Sequence, residues 1–567
     1  MKASEYLARF IRAINVERIY TLSGGMIAPL LDAIGEDPDL MLVPVSHEQA
    51  AAFAAETEGR LAHRPGIALG TNGPGALNLV SGIASAYYDS VPSIFIAGQV
   101  QTYICNVVPG ARQSGLQQCN FQEVCSQISK AVYSPQRGED VPRMLAEAYE
   151  LCMSNRRGPV VIEIPLDVQT AETGSSDIVV PTVSTQMCPS AAEIEHLADA
   201  LSHSTRPVML IGGGARGANE ICHRFATKRQ LPVVSTIAGL DVSAGLGSLS
   251  IGMCGMYGSR VANTVLSEAD FVLVVGSRVD HAVLGADPMG FGRKRTVWQI
   301  DVDAAEAGTR VKPSSAIIAD AKSALEALDS VRSLAAYRVS EAWADRVCSL
   351  IEMFPSTGER EAVDGIDPNE FIERLGLHSG EACAYVVDAG HHTWFAAQSL
   401  KLRTGQRFVS STGLHSCGTA LPAAMATAFH YRQPVVAIVG DGSVQLNIQE
   451  LATIMRERLP VKTVILNNSA HGSVRQLQTL ITAKRYHASV WGLSNVDHVA
   501  VFSAYGVPSR RITSPAEIDE ALKWLWEDKG QAQMLDVAFD TSIDVSPTVP
   551  FGRQISAMEP KRAPMSR

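Results

Sequence analysis

The stretch Val435-Val436-Ala437-Ile438-Val439-Gly440-Asp441-Gly442-Ser443 decides how this chain is read. An apolar strand runs into Gly-Asp-Gly, and a helix is expected from about Ile448 to Arg458. A second apolar strand, Val461 to Leu466, ends in Asn467-Asn468. That is a βαβ unit, so both strand ends lie side by side at the carboxyl edge of a parallel sheet, where open α/β sheets bind ligands. Gly440 and Gly442 permit a tight turn and close approach of a phosphate to the backbone. Asp441 offers one hard oxygen ligand and Asn468, 27 positions on, a second. Carboxylate, amide and backbone oxygens, completed by phosphate oxygens, suit Mg²⁺. Gly-Asp-Gly alone also reads as a surface turn; the strand–turn–helix–strand–Asn-Asn arrangement makes the metal–phosphate reading specific.

The rest of the chain fits an α/β enzyme. Its 567 residues suggest about three or four domains. With 46% hydrophobic and 19% charged residues, it can bury a large core without disulfide or metal staples, which excludes a disordered protein, a small secreted scaffold and a coiled coil. Lys+Arg 48 against Asp+Glu 58 argues against a nucleic-acid or anionic-membrane surface. The ten cysteines are scattered, with none at zinc-ligand spacing, and read as reduced thiols. Tyr6, Leu7, Phe10, Ile11 and Ile14 recur at helical spacing, interrupted by Glu5, Arg9 and Arg12, so the N-terminus reads as an amphipathic helix and not a signal peptide. No apolar run approaches the ~20 residues of a membrane span. The expectation is a cytoplasmic protein.

Strand–helix alternation divides the chain into three doubly wound parallel-sheet domains at 1–172, 190–335 and 360–548, followed by a tail at 549–567. Expected strands include Ile67–Gly70, Ser93–Ala97, Val160–Ile164, Pro207–Ile211, Phe271–Val275 and Ala384–Val387. Residues 173–189 read as a linker and 336–365 as a charged helical connector.

The Gly-Asp-Gly to Asn-Asn unit resembles the diphosphate–Mg²⁺ motif of thiamine-diphosphate enzymes. Such enzymes need a glutamate in another domain, and Glu48 in Val45-Ser46-His47-Glu48-Gln49-Ala50-Ala51 fits. Gly24-Gly25, the run Gly70 to Leu79 and Asp89-Ser90-Val91-Pro92 resemble the pyrimidine-binding domain of the acetolactate synthase family. Asp388 to Gln398 resembles that family's diphosphate-binding turn. The middle block resembles its FAD loops at Gly212, Gly213, Gly214, Thr236, Met256, Gly276, Arg278, Asp280, Asp301 and Asp320. Glycine turns of this kind also arise for packing alone.

The resemblance implies thiamine diphosphate, Mg²⁺ and FAD as cofactors. It makes Glu48, Gly25 and Gln117 catalytic, and Asp441, Asn468 and Ala470 metal ligands. It implies cofactor contacts from Gly24, Pro74, Asn78, His391, His392 and His415. Cys417, Gly440, Gly442, Ser443, His471 and Gly472 complete that set. A homodimer or homotetramer follows, with cofactor held between subunits, and a keto-acid donor with a carbonyl acceptor as partners.

Three departures bear on the substrate. Phe121-Gln122-Glu123 spells a family loop motif, yet counting back from Ile128-Ser129-Lys130 puts Leu116-Gln117 in its place and makes Phe121 a core residue. Cys417 stands where the family has methionine beneath the cofactor, and Leu477 where it has a pocket tryptophan. Leu116 and Leu477 open room for a larger acceptor. Three readings stay open: an acetolactate-type carboligase; the same donor chemistry with a bulkier acceptor such as a nucleotide-linked keto-deoxysugar, or a decarboxylase or lyase; and a non-catalytic nucleotide-binding relic. The presence of Glu48, Asp441 and Asn468 together argues against the relic.

Overall fold

The computed structural model describes residues 1–62, 64–105, 110–183, 187–312, 314–355 and 363–562. Parts of the expected linker (184–186), connector (356–362) and tail (563–567), with the first residues expected for the third domain, lie outside them. Among the described residues, three six-stranded sheets form in succession, and every strand pairing within them is parallel.

The first sheet comprises β1 (Arg18–Thr21), β2 (Met41–Pro44), β3 (Gly66–Gly70), β4 (Ser93–Gln99), β5 (Val132–Tyr133) and β6 (Pro159–Pro165), in the order β2-β1-β3-β4-β6-β5. The second holds β7 (Pro207–Ile211), β8 (Val233–Ser235), β9 (Ser250–Met253), β10 (Phe271–Val275), β11 (Thr296–Asp301) and β12 (Ser315–Ile318), in the order β12-β11-β10-β7-β8-β9. The third holds β13 (Ala384–Val387), β14 (Arg407–Val409), β15 (Val435–Gly440), β16 (Val461–Asn467), β17 (Ser509–Ile512) and β18 (Gln533–Ala538), in the order β14-β13-β15-β16-β18-β17. The central strands are buried on both faces, which is why they read as unbroken apolar runs and not as alternation.

Each order switches from one side of its first strand to the other between β1 and β3, between β7 and β10, and between β13 and β15; in the first and third sheets the last two strands also exchange places at the far edge. The chain leaves the sheet to opposite faces at such a point, and a crevice opens beyond the strand ends. The glycine-rich turns singled out in the sequence follow these strands. Gly24 and Gly73 lie past β1 and β3, Gly212 and Gly276 past β7 and β10, and Gly440 and Gly442 at and beyond the end of β15.

The expected N-terminal helix forms over Ala3–Ala13, with Tyr6, Leu7, Phe10 and Ile11 buried. The helix expected from Ile448 to Arg458 is shorter. Two 3₁₀ turns, Ser443–Leu446 and Ile448–Glu450, precede a helix over Leu451–Arg456. Asn447 breaks the run, because its side chain is drawn sideways: Nδ2 donates to Gly418 O at 2.7 Å and to Gln49 Oε1 at 3.3 Å.

The first and third domains share one apolar core, in which Ala51 and Ala55 of the helix Glu48–Leu61 join Ala420, Ala424 and Ala428 of the helix Ala420–Tyr431. Small side chains let the two helices approach closely. Beside this core lies a buried charge network. Arg60 pairs with Glu56 and Asp89, all three nearly inaccessible to solvent. Asp89 accepts from the Thr412 amide and hydroxyl, each at 2.9 Å, and from the Gly413 amide. In the middle domain Asp241 accepts from Arg216 at 3.4 Å and from Arg407 of the third domain at 2.7 Å.

Burial alone would push the Asp89 carboxyl up; Arg60 and the Thr412 donors outweigh it and hold it below the usual range. Its contribution is therefore present above the ordinary carboxylate pKa and lost as pH falls through its lowered value. Asp89→Ala leaves Arg60 half-partnered in a buried place and is expected to destabilise the fold by ~3–5 kcal/mol. The check is the shift in urea midpoint, with a smaller effect for exposed Asp199→Ala as control.

Candidate active site

The site is built on two sheet edges. At the first, His47 caps the helix Glu48–Leu61 by accepting from the Gln49 amide, which sets Glu48, a residue only 5% exposed, in the first turn. Glu48 Oε2 accepts from Asn78 Nδ2 at 3.0 Å, while Oε1 has no hydrogen bond among the described residues and lies beside Gly75. Asn78 closes the short helix Pro74–Asn78 that starts at Pro74. Gly24 presses on Thr71, where a Cβ would come within 2.4 Å, and Gly25 next to it has open space. Leu116 and Gln117 lie over this edge: Asn72 Nδ2 donates to Leu116 O at 3.1 Å, and the Gln117 carbonyl packs on Gly73. Both side chains are exposed. Phe121 is fully buried and serves the core, while Gln122, itself exposed, donates to buried Glu163 at 3.2 Å.

At the third sheet edge, Asp388 follows β13 and organises the turn, with Oδ1 accepting from the amides of Ala389 at 2.8 Å and Gly418 at 2.9 Å. Oδ2 accepts from the Ala420 amide at 3.2 Å. His391 and His392 open the helix His391–Ser399. The His391 ring packs against Gly472, where a Cβ would come within 2.5 Å of Nδ1, so only glycine fits there. His392 packs against Gly440 and His471 against Gly442 in the same manner. Ser443 Oγ accepts from the Gly440 amide at 3.1 Å. Past β16, Asn468 Oδ1 accepts from the Ala470 amide at 3.2 Å, and Ser469 takes a left-handed conformation that turns the chain. The sequence-predicted residues His415 and Cys417 enter on the loop that Asp388 holds through the Gly418 amide.

The electrostatics of this edge are unusual. Burial, aided by the Asp536 carboxylate, pushes Asp441 up to about 6 against its own backbone hydrogen bonds. Burial pushes Asp388 to about 6 as well. Burial lowers His391 and His392 to about 3, so both rings are neutral at pH 7. Both His391 ring nitrogens and His392 Nε2 are buried without a hydrogen-bond partner among the described residues. Neutral imidazoles with unused polar atoms, a glycine turn and helix starts suit a diphosphate. One carboxylate and one amide suit a divalent cation that takes its remaining oxygens from that diphosphate. Among the described residues no group of three or more His, Cys, Asp or Glu could hold a metal alone.

The two edges meet within one chain. Ser46 N donates to Glu450 Oε1 at 3.0 Å, and Asn447 bridges Gln49, next to Glu48, to Gly418, next to Cys417. Asn447 and Glu450 are the site-builders that sequence reasoning missed, and no signal could have found them, since their partners lie about 400 positions away; Asp388 stood at the head of the turn already singled out.

In the middle domain, the residues expected at FAD lie beyond the strand ends. Gly214 N donates to Gly276 O at 2.9 Å, so these glycines also serve close packing. Asp280 and Asp320 cap helices, Arg278 pairs with Asp280, and Asp301 accepts from the Asp303 amide.

Among the described residues no helix is long and apolar enough to cross a membrane. Three family profiles match the chain: Thiamine pyrophosphate enzyme, N-terminal TPP binding domain over 1–124, central domain over 194–328, and C-terminal TPP binding domain over 388–537. The acetolactate synthase large subunit of Lactococcus lactis is 32% identical, over 97% of this chain and 94% of that one. The isozyme 2 large subunit of Escherichia coli is 31% identical over 98% and 99%, and the probable acetolactate synthase large subunit of Methanocaldococcus jannaschii 31% over 99% and 96%. The glutamate at one sheet edge, the Gly-Asp-Gly to Asn-Asn unit at the other and these full-length likenesses agree: the chain belongs to the thiamine pyrophosphate enzymes, in the acetolactate synthase family.

Proposed function

We propose that this enzyme is a Mg²⁺-dependent carboligase that decarboxylates a 2-keto acid, pyruvate, and joins the two-carbon unit to a second carbonyl compound. The observation that carries this is the pairing of Glu48, with one free carboxylate oxygen, and a diphosphate cradle of orphaned imidazoles, bridged by Asn447.

When bound, thiamine diphosphate supplies the ring that cleaves the keto acid and holds its fragment for transfer. The chain's own residues do the rest. Asn78 fixes Glu48 through Oε2, leaving Oε1 to hold a proton at a cofactor ring nitrogen. Asp441, Asn468 and the Ala470 backbone would hold the cation; His391, His392, Ser443 and the Gly440 and Gly442 turn would hold the diphosphate. Cys417 would lie beneath the bent cofactor, with His415 and His471 beside it. Gly25 and Gln117 would face the reacting carbonyl. Exposed Leu77 and Leu446, 43% and 55% accessible beside the site, support a homodimer or homotetramer with the active sites at the subunit interface. FAD would occupy the edge of the middle sheet at Gly212, Thr236, Gly276 and Asp301 as a structural group, because carboligation moves no net electrons. The expected result is a yellow protein with a flavin spectrum; a colourless one would remove FAD and leave the thiamine diphosphate chemistry standing.

A bulkier acceptor than pyruvate is favoured by one observation: Leu116 and Leu477 are 79% and 47% exposed. Leu477→Trp is expected to shift products toward acetolactate at least several-fold when pyruvate competes with a large aldehyde, read by mass spectrometry. Unchanged products would reject the pocket assignment.

Glu48→Gln is expected to retain cofactor but slow C2 proton exchange by ~10²–10⁴, the scale of positioned proton transfer, read by NMR. Asp441→Ala is expected to lose cofactor instead. A cation must displace the proton that burial favours on Asp441, so wild-type cofactor affinity should be flat above about pH 6 and fall with acidification below it. With one proton displaced, the limiting slope is about one decade per pH unit. Identical behaviour of the two variants would reject the assigned roles.

A further inference from the structure

His415 is the residue of this site whose backbone and ring are both specially held. Its φ of +55° lies in the left-handed region, which residues other than glycine adopt uncommonly. Its ring stacks on Trp394, with centroids 5.4 Å apart and planes at 24°. Trp394 stacks in turn on Tyr257 of the middle domain, at 4.5 Å and 21°. Gln398 Nε2 donates to Tyr257 O at 3.0 Å and ties the far ring's backbone to the Trp394 helix. Three rings from two domains thus fix the plane of one imidazole, two residues from Cys417.

The hydrogen bonding of that ring decides what it offers. His415 Nδ1 lies 3.2 Å from the Ser411 carbonyl oxygen. A carbonyl only accepts, so Nδ1 carries the hydrogen. Burial lowers the ring's pKa, partly opposed by the Ser411 carbonyl and Asp89, so the ring is neutral at pH 7. Nε2 therefore presents a bare lone pair. It has no partner among the described residues, and unlike the His391 nitrogens it keeps contact with solvent.

We propose that His415 determines acceptor specificity: its Nε2 accepts a hydrogen bond from a hydroxyl next to the acceptor carbonyl, so the second substrate is a hydroxylated aldehyde or ketone. This rests on the carboligase reading. A lone pair repels the carboxylate of a second keto acid and leaves an aldehyde without a hydroxyl unanswered. A site built to bond a substrate hydroxyl rejects analogues that lack it far more strongly than an apolar pocket rejects a missing methylene. His415 selects here by a polar contact that Leu116 and Leu477 cannot make.

The test uses the full chain loaded with thiamine diphosphate and Mg²⁺. Release of CO₂ from pyruvate is measured first, without acceptor. Glyceraldehyde, propanal and 2-ketobutyrate are then compared as acceptors. We expect a KM at least tenfold lower for glyceraldehyde than for the other two. In His415→Gly the preference should vanish. In His415→Asn, which tolerates the left-handed backbone and keeps an accepting oxygen, part of it should return. Separately, in ¹⁵N-histidine-labelled wild-type protein the unprotonated Nε2 resonance of His415 should shift on adding glyceraldehyde and stay put with propanal. CO₂ release together with equal acceptor KM values, or with an unmoved Nε2 resonance, overturns the assignment to His415 alone. Absence of CO₂ release overturns the carboligase reading and this inference with it.

Discussion

Three arginines and three carboxylates cluster where the three domains meet, Arg60 and the carboxylates buried and Arg216 and Arg407 partly so, and the arrangement of the molecule depends on their being satisfied together. Arg60, Glu56 and Asp89 belong to the first domain, Arg216 and Asp241 to the middle one, and Arg407 to the third. Burial raises Glu56, and Arg60 and, more weakly, Arg216 oppose it. Each charge is costly to take out of water, and the cost is offset only when every partner is in place. The network therefore admits few relative placements of the domains. The placement it admits brings the start of the Glu48 helix to the Asn447 and Gly418 turn.

On this frame the same topological device is used three times. A parallel sheet reverses its winding, two strand ends diverge, and glycine turns fill the gap. The first sheet uses the crevice to place the Glu48 carboxylate, and the third to place amides, the His391 and His392 imidazoles, Asp441 and Asn468. Asn447 joins the two edges by using both hydrogens of one amide, and the interrupted helix after Ser443 is the cost of that bridge.

The third edge also shows how burial prepares a site. Asp441 and Asp388 are pushed up to about 6 and His391 and His392 down to about 3, so this region carries little charge at low pH and imidazoles stay neutral at pH 7. A cation and a diphosphate together supply compensating charge that the chain alone lacks. Leu116 and Leu477 differ from this edge in being apolar and exposed.

Much of this was legible in the chain itself. Unbroken apolar runs such as Val435–Val439 and Phe271–Val275 determined buried parallel strands, because a strand covered on both faces needs no polar alternation. Gly-Asp-Gly after one such strand and Asn-Asn after the next determined which residues share a sheet edge, because parallel pairing of the two strands alone sets those ends side by side. Counting from Ile128-Ser129-Lys130 placed Phe121 in the core, where it lies. What the sequence could not determine were contacts between residues hundreds of positions apart. Asn447 with Gln49, Asp89 with Thr412, and His415 stacked on Trp394 and Tyr257 depend on how whole domains dock. Local propensity fixes a strand or a turn; the partner of a buried polar group is fixed only when tertiary packing removes water and leaves one alternative.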